Sequence, residues 1–187
     1  MAKLLSKNGD CLGKDCVSPQ RYNGETTLWK DIMGAEDNFD QGLFVKDMGI
    51  QFTLLTPERV EGTMPLGPEK WQPWGFVHGG ATLSLLESLA SRASEFYRDF
   101  DTEIAFGVDM HVRHLKPAKN GVMTGYAQLS REELSSNGIC RKQYWDVAAF
   151  DEEGDVISSG VMVTKVVPKA YLAEKDAQRA AARKEKK

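Results

Sequence analysis

Six residues between positions 72 and 91 have types that can work together on a carbonyl group: Gln72, His78, Gly79, Gly80, Glu87 and Ser91. A loop containing Pro73 and Trp74 runs into His78-Gly79-Gly80, and a helical pattern carrying one carboxylate begins there. The first N–H groups of a helix have no partner within it, and with the helix dipole they stabilise negative charge. A glycine at that point lets a substrate come close to the backbone. The series therefore offers a backbone donor for an oxyanion, an amide to orient a carbonyl, and a carboxylate to attack it or to activate water. Thioester or ester cleavage is the chemistry these parts suit. No Ser-His-Asp arrangement is found.

Taken singly, each residue has a plainer reading. His78 suits a helix cap, Gly79-Gly80 a break between loop and helix, and Glu87 an exposed helix position. The helix itself argues against the last of these. Projected at about 100° per residue, Ala81, Leu83, Leu85, Leu86, Leu89, Ala90, Ala93, Phe96 and Tyr97 cover more than half the circumference. An apolar arc that wide requires burial on more than one side. The remaining stripe holds Ser84, Glu87, Ser88, Ser91 and Ser94. Solvated faces carry long charged side chains. A stripe of serines around one carboxylate permits close approach of a ligand or a second chain, and supplies hydroxyls one turn away.

The elements that position this helix read as follows. Residues 1–25 are polar and predict a flexible leader. Leu28, Trp29, Ile32 and Met33 predict a short amphipathic helix within 26–38. Residues 44–56 and 59–65 predict two strands joined by a turn at 56–58. The long helix spans 79–96. Four strand-like runs follow, over 104–112, 122–130, 141–150 and 155–167, with Ile104, Phe106, Val108, Met110 and Val112 alternating in the first. Short turns between consecutive runs imply an antiparallel meander. The layout is α+β, with one long helix to cover a sheet. Residues 26–168 form the domain, and 169–187 a charged tail.

The chain has 187 residues and 41% apolar content, enough for one domain with a core. Its net charge is −3, which does not support a nucleic-acid footprint. The last twenty residues carry +4, which leaves −7 on the rest. Cys11, Cys16 and Cys140 make an odd set that argues against a disulfide framework. The three histidines lie far from the Cys11/Cys16 pair, so no metal site is expected. No apolar run has membrane-spanning length, and the N-terminus lacks a signal-peptide core. A cytoplasmic location is expected.

The segment Gln72–Ser91, with Gly62-Thr-Met-Pro65, Asp109-Met-His111-Val-Arg113 and the run 145–154, resembles the hotdog-fold acyl-CoA thioesterases. The resemblance is to the branch holding 4-hydroxybenzoyl-CoA thioesterase of the Glu-on-helix type and 1,4-dihydroxy-2-naphthoyl-CoA thioesterase. It covers residues 43–167. It implies an antiparallel sheet wrapped around one central helix, and a homodimer, often paired into a tetramer, with sites at the subunit interface. It further implies an acyl-CoA substrate and hydrolysis without a cofactor. Carried over, Gln72, His78 and Gly79 serve one subunit's site, and Glu87 and Ser91 its neighbour's. Glu87 is nucleophile or general base, Gly79 the oxyanion donor, and Gly80 lies against the substrate. His111 and Arg113 fall at positions near the coenzyme, with Arg141 and Lys142 as further cations for its phosphates. Trp71, Trp74, Phe76 and Met110 suit an aromatic acyl pocket, which favours an aryl-CoA slightly over an aliphatic one, and suit core or interface positions equally well. Two other functions fit the same fold: an acyl-thioester dehydratase and a non-catalytic acyl-CoA binding module.

Overall fold

The computed structural model describes residues 42–184. The expected leader and the amphipathic helix within 26–38 lie outside them. Six strands form one antiparallel sheet: β1 (Gln51–Leu55), β2 (Arg59–Leu66), β3 (Glu103–His114), β4 (Gly121–Leu134), β5 (Arg141–Phe150) and β6 (Val156–Pro168), ordered β1-β2-β4-β5-β6-β3. Helix α1 (Gly42–Asp47) precedes β1, α2 (Gly79–Ser94) fills the curve of the sheet, and α3 (Lys169–Lys184) follows β6 as an exposed helix. This is the expected hotdog layout.

The wide apolar arc of α2 is what the sheet encloses. Ala81, Leu85, Leu86, Leu89, Ala90 and Ala93 are buried, and α2 packs against β2, β3, β4, β5 and β6. Gly62 and Gly125 are register partners on β2 and β4. A Cβ on Gly62 would come within 2.8 Å of Leu89, and one on Gly125 within 3.2 Å of Leu85 and Leu89. The glycine pair thus opens a trough that the two leucines fill, and it sets how close helix and sheet lie.

Two strand readings need correction. Residues 44–56 are not one strand: 44–47 belong to α1, and β1 begins at Gln51. Val45 and Met48, three apart, both pack on the core as a helical turn allows. Gly49, with φ +68, then turns the chain into β1. In β3 the sequence alternation is continuous but the structure is not. The register with β6 shifts between Gly107 and Asp109, leaving Val108 as a bulge. Phe106 and Val108 are therefore 43% and 51% exposed, whereas Met110 and Val112 pack against the core. An extra residue in one strand of a pair reverses the side-chain phase beyond it.

A buried polar network locks the end of α2 to β5 and β6. Ser94 Oγ donates to Gln143 Oε1 at 2.6 Å, and Thr164 Oγ1 donates to the same oxygen at 3.2 Å. Gln143 Nε2 donates to Glu132 at 2.8 Å, and Trp145 Nε1 to Thr164 Oγ1 at 2.8 Å. Gln143, Ser94, Trp145 and Thr164 are all fully buried. Every polar atom of the Gln143 side chain is used, which is the condition under which a buried amide stabilises a fold. Gln143→Ala strands these partners and leaves a cavity. It should lower the unfolding free energy by about 2–4 kcal/mol, read from denaturant midpoints. An unchanged midpoint would contradict this role.

Candidate active site

The loop before α2 is tied down at several points. Gln72 N–H donates to Phe76 O at 2.8 Å and Gly75 N–H to Gln72 O at 3.0 Å, which makes a tight turn with Pro73 and Trp74 at its tip. Trp71 Nε1 donates to Lys119 O at 2.6 Å, Val77 N–H to Ala118 O at 2.8 Å, and His78 N–H to Lys70 O at 2.8 Å. The loop is thereby fixed to the segment that follows β3.

His78 is the N-cap of α2. It is extended (φ −65°, ψ 132°), and its Nδ1 accepts the Gly80 N–H at 2.9 Å. That acceptor role places the proton of the neutral ring on Nε2, which is left facing outward. Ala81 N–H bonds to His78 O at 2.9 Å. Gly80 and Ala81 are therefore engaged, while Gly79 N–H makes no hydrogen bond among the described residues. Gly79 is the open donor at the helix start. It borders a cavity of about 370 Å³ that Gln72, Phe76, Thr82, His114 and Ile157 also line.

Glu87 and Ser91 lie elsewhere. Ser91 Oγ donates to Glu87 Oε1 at 2.7 Å, one helical turn apart. The half-buried carboxylate reaches β3, where a Cβ on Gly107 would come within 2.8 Å of Oε1. Eight residues separate Glu87 from Gly79, about 12 Å along a helix axis. Glu87 does not line the Gln72/Gly79 cavity. Within one chain the carboxylate and the open N–H do not meet.

The basic residues divide as well. His111 and Arg113 are exposed, on the face of β3 opposite Met110 and Val112. His111 Nε2 lies 3.5 Å from Asp109 Oδ2. Arg141 is held by Glu103, with Nη1 and Nη2 at 3.0 and 2.9 Å from its two carboxylate oxygens, and Nη2 also donates to Tyr97 O at 2.5 Å. It therefore sits beyond the C-terminal end of α2, far from Gly79. Lys142 projects from the opposite face of β5. Lys116, on the cavity wall, donates to Asp151 and Asp155 at 2.6 Å each, and those bonds hold its ammonium above the ordinary lysine range. Of the four residues read as an acyl pocket, Phe76 lines the cavity, Trp71 borders the loop, Met110 packs on the core, and Trp74 is 80% exposed.

Three residues at the site were not picked out from sequence. Gly107 gives Glu87 its room, and a glycine inside a strand run is the sequence signal for such close approach. His114 and Ser158 face each other across β3 and β6, with Nδ1 and Oγ 2.9 Å apart. Only strand register reveals them.

The family model described as the thioesterase superfamily matches residues 75–158. A proofreading thioesterase EntH of Cronobacter turicensis is 30% identical over 132 residues, covering 68% of this chain and 89% of the relative. The chain belongs to the thioesterase superfamily. The 1,4-dihydroxy-2-naphthoyl-CoA hydrolase of Escherichia coli is 28% identical over 142 residues, covering 75% of this chain and 99% of the relative. A solved thioesterase variant from Pseudomonas aeruginosa shares the fold with a TM-score of 0.63 and 23% identity, covering 78% of this chain and 97% of the other. The activity of this thioesterase is thioester hydrolysis.

Gly107→Ala tests the clearance around Glu87. Its methyl would meet Glu87 Oε1 at 2.8 Å and Met162 Cε at 2.6 Å, so one of them has to move. Displacement of a reacting group by about 1 Å can cost on the order of 10² in rate. The expected result is a loss of acyl-CoA hydrolysis on that scale with the fold retained by circular dichroism. Full activity would show that the Glu87 position is not constrained from β3.

Proposed function

We propose that this thioesterase hydrolyses an aromatic acyl-CoA to the free acid and coenzyme A in the cytoplasm, as a dimer whose two sites each draw on both chains. The observation that carries the reading is the division of the site: an unengaged N–H beside Gln72 at one end of α2, and a serine-held carboxylate about 12 Å along the same helix. Two copies packed antiparallel across β3 and α2 bring the Gly79 end of one against the Glu87 region of the other. β3 is the edge strand of the sheet and exposes Phe106 and Val108, as an edge covered by a second copy would.

In the proposed cycle the thioester oxygen lies on Gly79 N–H and Gln72 orients the carbonyl. The partner's Glu87, held by its Ser91, adds to the carbonyl carbon to give a mixed anhydride that water then cleaves to the free acid and the Glu87 carboxylate, or takes a proton from the water that adds directly. The carbonyl π pair moves to oxygen and returns as the C–S bond breaks. Coenzyme A leaves as a thiolate whose ordinary pKa of about 8.5 makes a strong general acid unnecessary. His78 Nε2–H lies near the sulfur. His111 and Arg113, exposed on β3, and Lys142 are available to the coenzyme phosphates. Phe76 on the cavity wall and the naphthoyl-CoA named for the Escherichia coli relative support an aromatic acyl group.

Free-thiol release from benzoyl-, hydroxynaphthoyl- and fatty acyl-CoA tests the reading. Glu87→Ala should reduce the rate on the best substrate by on the order of 10² or more. Full activity of that variant would remove Glu87 from the chemistry, and an inactive wild type would end the hydrolase reading. Mixing Gln72→Ala and Glu87→Ala chains should restore part of the activity. No restoration, with subunit exchange verified, would refute shared sites.

A further inference from the structure

His114 has no part in the reading above, yet it sits against the open donor at the start of α2. A Cβ on Gly79 would come within 2.7 Å of His114 Nε2 and 3.2 Å of its Cε1. Both residues line the same cavity. The other ring nitrogen, Nδ1, lies 2.9 Å from Ser158 Oγ. His114 is held in place from behind: Leu115 N–H bonds to Ile157 O at 2.8 Å, and His114 is the register partner of Ser158.

The tautomer follows from counting protons. Ser158 is 1% exposed, and His114 is the single hydrogen-bond partner of its hydroxyl among the described residues. A buried hydroxyl with one partner donates its proton to it, because the alternative leaves an O–H unsatisfied. Ser158 Oγ–H therefore donates to Nδ1. The neutral ring then carries its proton on Nε2, the nitrogen that faces Gly79. The result is two N–H groups, one from the backbone and one from a side chain, at the same wall of the cavity with no acceptor among the described residues.

We propose that His114 Nε2–H is a second oxyanion donor beside Gly79 N–H, with Ser158 as the positioning residue that sets its tautomer. This rests on the thioesterase reading. When the nucleophile adds to the carbonyl carbon, the π pair moves onto oxygen, and the two N–H groups hold that charge without transferring a proton. The charge leaves again when the C–S bond breaks and the pair departs on sulfur. Preorganised donors aimed at developing charge act on the chemical step more than on binding. Gly79 then has two duties: its N–H is one donor, and its missing side chain makes room for the other.

The test uses the full-length dimer, the acyl-CoA of the panel that wild type hydrolyses fastest, and His114→Phe, His114→Gln and Ser158→Ala. His114→Phe keeps a flat ring and removes the donor. It should lower kcat by on the order of 10² and leave KM within about threefold. His114→Gln restores an N–H and should recover roughly tenfold of that loss. Ser158→Ala should lower kcat by a smaller factor while KM is unchanged. The inference is overturned if His114→Phe, with wild-type melting temperature and oligomeric state, keeps kcat within about threefold, or if the loss lies in KM alone. Should His114→Phe misfold, a folded His114→Gln that retains no more than background activity overturns it as well. An active wild type with an unaffected His114→Phe defeats this inference alone. A wild type that releases no thiol from any member of the panel defeats the thioesterase reading and this inference with it.

Discussion

The distance between two points on a buried helix governs the rest of this molecule. Helix α2 has to fill the concave face of the sheet, so most of its surface is committed to Leu85, Leu86, Leu89 and their neighbours. The glycine pair Gly62 and Gly125 draws it against β2 and β4 and fixes its depth. What is left for chemistry is the helix start and one narrow stripe. The rise of about 1.5 Å per residue then sets the open N–H of Gly79 and the carboxylate of Glu87 apart by more than a single carbonyl group can bridge. A straight, immobile helix cannot be bent to bring them together. The cavity at one end and the Ser91–Glu87 pair on the stripe therefore stay apart within one chain, and this separation is what the proposed shared site rests on.

Elements whose pattern survives folding were legible in the sequence. The period of α2 is uninterrupted, so its start at Gly79 and most of its buried arc match the expected 79–96. The α-helix ends at Ser94, however, and a 3₁₀ turn covers Glu95–Tyr97. Ser88 and Ser94, read as part of the polar stripe, are buried. Strand β5, bounded by turn residues and buried at Gln143, Trp145 and the run Val147–Ala149, spans the expected residues 141–150. The failures have local causes. Residues 44–56 carry apolar side chains at spacings that suit a helical turn as well as a strand, and Gly49 decides between them by a backbone angle that no hydropathy pattern records. In β3 the bulge at Val108 changes which side chains face the core, while the alternation of residue types runs straight through it.

The site divided along the same line. The positions of Gln72, Gly79 and Glu87 were legible because they depend on local order: a loop, a helix start, a place on a helix face. His114 and Ser158 were not, because what joins them is the β3–β6 register across a separation of 44 residues. Arg141 illustrates the reverse case. Its charge marks it as a candidate for phosphate, but Glu103, distant in sequence, takes both arms of its guanidinium at the far end of α2. Cations are assigned by their partners, and partners are a product of topology.

Strand β3 joins the exposed apolar edge to the surroundings of Glu87. As the edge of the sheet it presents unpaired backbone groups, and its bulge turns Phe106 and Val108 toward solvent. In a monomer that is an exposed apolar edge, the kind of surface that invites uncontrolled association. The bulge is also what lets Gly107 face Glu87 from one side of the same strand while His111 and Arg113 point away on the other. A straight strand would turn Phe106 and Val108 to the other face and place a different residue against the carboxylate, though it would still be the edge of the sheet. Keeping the bulge makes sense if the edge is meant to be covered. In the proposed dimer, a second copy laid against β3 would shield the apolar side chains and carry its own Gly79 and Gln72 to Glu87 in the same step, so association and assembly of the site would be one event.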